Sequence, residues 1–144
     1  MTYLIDTNVW SELRNPGRAD NNVRMWAEEA DPALLYLSAV TVFELERGVL
    51  LIERRDPEQG SRLRRWLEER VLAPFDGQIL PIDTPIARRC AALHVPDPRP
   101  ERDALIAATA LTHGLTVVTR NVGDFEPMGV ALLNPWVASG QPTP

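Results

Sequence analysis

Apolar and polar positions fall in blocks along this chain, and the blocks alternate between two periods. Tyr3-Leu4-Ile5 is a short apolar run stopped by Asp6-Thr7-Asn8, the pattern of a buried strand feeding a helix over about Val9 to Leu13. Asn15-Pro16-Gly17 ends that helix. A second helix is predicted over Asn21 to Ala30, closed by Asp31-Pro32, and Leu34 to Leu37 reads as the next strand. Ser38 is placed to cap a long helix that reaches Arg55. In that helix Val42, Leu45, Val49 and Ile52 recur at helical spacing, while Val40, Phe43, Leu50 and Leu51 make a second apolar face roughly opposite. One face fits the domain's own core, and the other calls for a further partner.

Asp56-Pro57 opens another helix, with proline at an N1-like position, running to about Leu72. Gln78 to Ile82 is predicted as a strand and Thr84-Pro85 as the start of a helix to about His94. The link Val95-Pro96-Asp97-Pro98-Arg99-Pro100 cannot be helical, so a new helix starts near Glu101 and ends at His113-Gly114. Thr116 to Thr119 is a β-branched strand, Ala131-Leu132-Leu133 a short last one, and 138–144 a flexible tail beyond a domain of residues 1–137. Strands alternating with helices predict an α/β fold, a three-layer α/β/α sandwich around a central, mostly parallel sheet.

Composition narrows the class. At 144 residues the chain fits one domain, and its 44% hydrophobic and 24% charged residues are those of a folded globular protein. No apolar run approaches the ~18 residues that span a bilayer, and no secretory signal is readable ahead of Asp6. The single cysteine, Cys90, excludes an internal disulfide and a Cys-rich zinc site, which suits a reducing cytoplasm. A net charge of −5 argues against binding nucleic acid mainly through a broad basic surface. All fifteen bases are arginine, six of them between Arg54 and Arg70, where the plain reading is a solvated helix face paired with Glu58, Glu68 and Glu69.

The acids carry the chemistry. In open parallel sheets the ligand crevice lies outside the carboxyl ends of the strands. Asp6 stands at one such end, and Asp124 follows another. Asp103 falls in the first turn of the helix after the proline link, and Glu44 lies inside the long helix at the border of its apolar face. Each alone has an innocent explanation as a cap, turn or strand terminator. Brought together they repel and need a cation, and an all-oxygen set without His or Cys suits Mg²⁺ or Mn²⁺ better than zinc. Such clusters serve phosphodiester hydrolysis. On this reading, neutralising one acid leaves the metal-free protein equally or more stable. Cys90 and His94, at i and i+4, lack an orienting third group for nucleophilic catalysis, and no glycine-rich phosphate loop is present.

Four segments are familiar together: Tyr3-Leu-Ile-Asp6-Thr7-Asn8-Val-Trp-Ser11, Ser38-Ala-Val-Thr-Val-Phe-Glu44-Leu-Glu-Arg-Gly48, Arg102-Asp103-Ala-Leu-Ile-Ala-Ala-Thr-Ala, and Val118-Thr119-Arg120-Asn121-Val-Gly-Asp124. In order and spacing they resemble the PIN-domain ribonucleases, and among them the VapC toxins of toxin-antitoxin systems, including the FitB-like branch. The resemblance implies that Asp6, Glu44, Asp103 and Asp124 are catalytic and bind Mg²⁺, with Mn²⁺ as an alternative. It implies that Thr7, Asn8, Ser11, Thr119 and Asn121 line the site, with Asn121 able to share the role of Asp124. Glu46, two residues on, is set aside because the pattern Glu-Leu-x-x-Gly fixes on Glu44. It further implies an RNA substrate, a homodimer and a VapB-like antitoxin whose end segment crosses the active site. A receiver-type phosphoacceptor needs a late lysine, and this chain has none. A non-catalytic PIN-like scaffold remains the other reading, marked by lost acids, whereas here all four positions are filled.

Overall fold

The computed structural model describes residues 1–138, so the tail expected at 138–144 lies almost wholly outside the described residues. Five strands, β1 (Tyr3–Ile5), β2 (Leu35–Ser38), β3 (Ile79–Leu80), β4 (Thr116–Val118) and β5 (Leu132–Leu133), pair in the order β3-β2-β1-β4-β5. Every pairing is parallel. Helices α1 (Thr7–Leu13), α2 (Asn21–Glu29), α3 (Ala39–Arg55), α4 (Pro57–Trp66), α5 (Thr84–Leu93), α6 (Glu101–His113) and α7 (Val122–Phe125) connect them. The three-layer parallel α/β architecture is the one the alternating pattern predicts.

Two apolar clusters cover the sheet's two faces. One joins Leu4 and Val117 to Ile86 and Cys90 of α5, Ile106 and Ala107 of α6, and Phe125. The other joins Ile5, Leu37 and Val118 to Val9 and Trp10 of α1, Val23 of α2, and Leu45 and Val49 of α3. The buried strip of α3 is Thr41, Leu45 and Val49, with Val42 and Ile52 only half-buried. The opposite face is open: Phe43, Leu50 and Leu51 are each more than half exposed, while Val40 packs partly on the core.

Several boundaries shift for local reasons. Helix α1 begins at Thr7 rather than Val9 because the Asp6 carboxylate accepts the Thr7 N–H and serves as its cap. The strand expected over Gln78 to Ile82 shrinks to Ile79–Leu80, because Pro81 has no N–H to continue the ladder. The helix expected to reach Leu72 keeps α-helical bonding only to Trp66 and then widens into a π-turn over Leu67–Leu72. Helix α4 lies so close on α3 that a Cβ at Gly60 would stand 2.5 Å from the Glu53 Cα, so this contact admits only glycine. The Arg-rich face is not paired as expected either. Arg64 reaches back to Glu46 and Glu53 of α3, with Glu68 at 3.7 Å, whereas Arg62, Arg65 and Arg70 make no ion pair among the described residues.

Candidate active site

The parallel topology places the ends of β1 and β4 side by side, and the site grows from that edge. Asp6 follows β1, its N–H bonded to the Val118 carbonyl at 2.9 Å, and its side chain is fully buried. A buried carboxylate needs donors, and it has them. Oδ1 accepts from the Thr7 N–H at 2.7 Å and Oδ2 from the Thr119 hydroxyl at 2.8 Å. The Asn8 amide donates to the Thr119 hydroxyl at 3.2 Å, and the Asn121 N–H donates to that same hydroxyl at 3.1 Å. The first and last motifs are thereby tied into one loop pair.

Glu44 enters from α3, where it faces the sheet edge instead of solvent. The Thr7 hydroxyl donates to its Oε1 at 2.7 Å. Asp103 enters from the first turn of α6, where it also favours the helix dipole. Its carboxyl is pushed above its ordinary pKa, chiefly by burial, and further by the fields of Asp6 and Asp124, against the hydrogen bond and charge of Arg102.

The residue that joins these acids had no assigned role in the sequence. Arg102 sends one nitrogen to each carboxylate: Nε to Glu44 Oε2 at 2.7 Å, Nη1 to Asp103 Oδ1 at 2.7 Å, and Nη2 to Asp6 Oδ1. Burial works against its charge, but the hydrogen bond to Glu44 and the field and hydrogen bond of Asp6 outweigh it, so the guanidinium's pKa is raised and it stays charged. The acids do need a cation, and an arginine of the same chain supplies one. The acids still repel, as the fields of Asp6 and Asp124 on Asp103 show, and Arg102 offsets part of that repulsion.

The predicted site residues divide into two sets. Asp6, Glu44, Asp103, Thr7, Asn8 and Thr119 come together in one hydrogen-bonded group. Asp124, in the first turn of α7, is exposed and reaches the group only through its field on Asp103. Asn121 is exposed and contributes its backbone, and Ser11 is an exposed wall residue of a groove of about 330 Å³ that also touches Thr7 and Glu44. Glu46 points away, into the Arg64 network. Cys90 lies 3.9 Å from His94 Nε2, and burial together with the charge of Glu101 pushes its thiol up, away from a reactive thiolate.

The donor set suits a hard divalent cation: it is all oxygen, anionic, and already built around a positive charge. With Arg102 in place, no three acidic, histidine or cysteine side chains among the described residues stand close enough to share one metal ion. No helix among them is long and apolar enough to cross a membrane. The groove past Ser11 continues through Arg14 and Trp66 into a second cleft of about 490 Å³, walled also by Trp10, Arg62, Arg65 and Arg70.

Known proteins share this plan. The PIN domain family matches residues 3–127. The toxin FitB of Neisseria gonorrhoeae is 40% identical over 139 residues, covering 92% of this chain and 97% of that protein. A VapC ribonuclease, Y4jK of Sinorhizobium fredii, is 35% identical over 138 residues, covering 92% and 96%. The crystal structure of FitAcB from Neisseria gonorrhoeae superposes with a TM-score of 0.86 at 38% identity, covering 94% of this chain and 99% of that one. With the family pattern covering residues 3–127 and these relatives matched over nearly their whole length, the chain belongs to the PIN-domain family.

Proposed function

We propose that this protein is a metal-dependent endoribonuclease toxin that hydrolyses RNA phosphodiesters and is held inactive by a VapB-like antitoxin. The observation that carries the reading is the convergence of Asp6, Glu44 and Asp103, from three separate elements, on a single cationic centre at the sheet's carboxyl edge. The ribonuclease and toxin names of full-length relatives support it. Asp6, Glu44 and Asp103 would hold Mg²⁺, or Mn²⁺, with Asp124 or Asn121 completing the set from the rim. A divalent cation bound there supplies Lewis-acid activation of water and neutralises charge on the phosphodiester.

The chain's own residues do the rest by orientation. Thr119 and the Thr7 N–H bond both oxygens of Asp6, and the Thr7 hydroxyl bonds one oxygen of Glu44, so both carboxylates are turned toward the same centre. Asn8 braces Thr119 and faces the loop where a scissile phosphate would lie. Ser11 and the arginine-lined cleft beyond it offer donors along the path of a bound strand. Attack by water, without the ribose 2′-hydroxyl, leaves a 5′-phosphate and a 3′-hydroxyl. The open face of Phe43, Leu50 and Leu51 suits a homodimer or an antitoxin segment, and a cytoplasmic location follows from such a substrate.

The test is to map cleavage sites on total RNA with antitoxin-free protein in Mg²⁺ and in excess EDTA. Discrete cuts with 5′-phosphate ends, lost in EDTA, are expected. Full cleavage in chelator would contradict the mechanism, and no cleavage of any RNA would favour a partner-binding scaffold.

A further inference from the structure

We infer that Arg102 is a built-in counter-cation that holds the carboxylate site while no divalent cation is bound, and that arginine and metal occupy the site in alternation. The inference rests on the metal-site reading above and adds to it a residue outside the ligand set. Its first support is stoichiometric. Three guanidinium nitrogens meet the three converging carboxylates, one each, so every acid of the hydrogen-bonded group has a charged donor from one residue.

The second support is spatial. The three carboxylates meet the guanidinium from separate elements, and as they stand no three acidic, histidine or cysteine side chains among the described residues can share one metal ion. A divalent ion that needs several of these oxygens at about 2.1 Å must draw the carboxylates inward, into the volume the guanidinium fills. Both cations cannot be accommodated together. The third support is that Arg102 has somewhere to go. Its side chain is about one-third exposed, and it lines a cavity of about 470 Å³ with the apolar Val40, Phe43, Ile82 and Leu105 and the charged Arg47 and Glu101. An arginine stem lies comfortably along such apolar walls while its head reaches water. Asp103, by contrast, is fixed in the first turn of α6 and stays behind.

Metal loading is then an exchange and not a simple addition. The apparent metal affinity is the intrinsic affinity reduced by the fraction of molecules in which Arg102 has withdrawn. The device protects the fold without metal and raises the metal concentration at which the site fills.

Calorimetric titration of the full chain with Mn²⁺ tests this, with Arg102→Gln, Arg102→Lys and Asp103→Asn alongside. Arg102→Gln is expected to bind Mn²⁺ at least about tenfold more tightly, to melt lower without metal, and to gain more on adding it. Arg102→Lys, which keeps one charge but loses the fork, should fall between. In the unmutated chain the Nε–H resonance of Arg102, sheltered by Glu44, should move to a solvent-exposed position on saturation with Mg²⁺. An Nε–H signal unmoved at saturation, or unchanged Mn²⁺ affinity in a folded Arg102→Gln, overturns the inference while leaving the metal site standing. Absence of Mn²⁺ binding to the unmutated chain, or full binding by Asp103→Asn, overturns the metal-site reading as well.

Discussion

Arg64 and Arg102 each gather three carboxylates. Arg64 meets Glu46 at 2.6 Å and Glu53 at 3.0 Å on α3, with Glu68 one turn along its own chain at 3.7 Å. Arg102 meets Asp6, Glu44 and Asp103. The exposure of the two arginine side chains, 27% and 32%, does not separate the clusters. The acids do: those of Arg64 are 38%, 34% and 56% exposed, and those of Arg102 are 0%, 18% and 13%. Water can replace Arg64 at its acids with little loss, whereas nothing but another cation can replace Arg102. The first cluster is a strut between two helices, and the second is a cation site.

The largest effect that sharpens this contrast is on activity. Asp103→Asn should lower RNA cleavage by at least about a hundredfold, the scale on which one preorganised electrostatic group acts. Glu46→Gln, an equally conservative change in the other cluster, should leave cleavage within about twofold. Initial rates on one RNA substrate decide it.

Stability in the absence of divalent metal is the next measure. Arg102→Gln leaves three crowded, poorly hydrated carboxylates and should cost about 2–3 kcal/mol in urea denaturation, below the value for a fully buried pair because the arginine is partly exposed. Arg64→Gln should cost less than about 1 kcal/mol. Equal losses would erase the distinction. Asp103→Asn should leave the metal-free chain equally or more stable near neutral pH, because burial and the fields of Asp6 and Asp124 outweigh its bond to Arg102.

A steric change isolates the strut. Gly60→Ala forces α4 off the Glu53 backbone and should cost about 1–3 kcal/mol as overpacking, with metal response and cleavage kept. Thermal melts with and without Mg²⁺ check it.

The smallest effect is in pH dependence, and the two clusters have opposite signs. The Arg64 hydrogen bond, foremost, holds Glu46 below its ordinary 4.5, so that pair's stability is present above pH 4.5 and lost as pH falls through the lowered value. Asp103 is raised above its ordinary 3.8, so its ionisation removes stability as pH rises through the raised value. Melting curves from about pH 6 down to about pH 3 should show a flatter acid limb in Glu46→Gln and a steeper one in Asp103→Asn.

Much of this was legible in the sequence because short range and fold agreed. Tyr3-Leu4-Ile5 and Thr116-Val117-Val118 declare themselves as buried parallel strands, and Asp6 just beyond the first and Thr119 just beyond the second point to the crevice. Ser38 caps α3 and Asp56 caps α4 as their positions require. Arg102 was not legible. On a helix, residues i and i+1 diverge by about 100°, so nothing in the pair Arg102-Asp103 says that the arginine folds back over its neighbour. The available signal was a buried acid count without a matching base. Gln78 to Ile82 misled because the apolar run outweighed Pro81. The pairing of Arg64 with α3 depends on the close approach at Gly60, a contact between helices that no local pattern encodes.

Diffraction from crystals grown with Mn²⁺, with the anomalous signal located, tests most directly that these acids form a cation site for catalysis. The account predicts a Mn²⁺ ion bound by Asp6, Glu44 and Asp103, with the Arg102 guanidinium withdrawn from all three. Arg102 still bridging the three carboxylates, with no Mn²⁺ at the site, would contradict it.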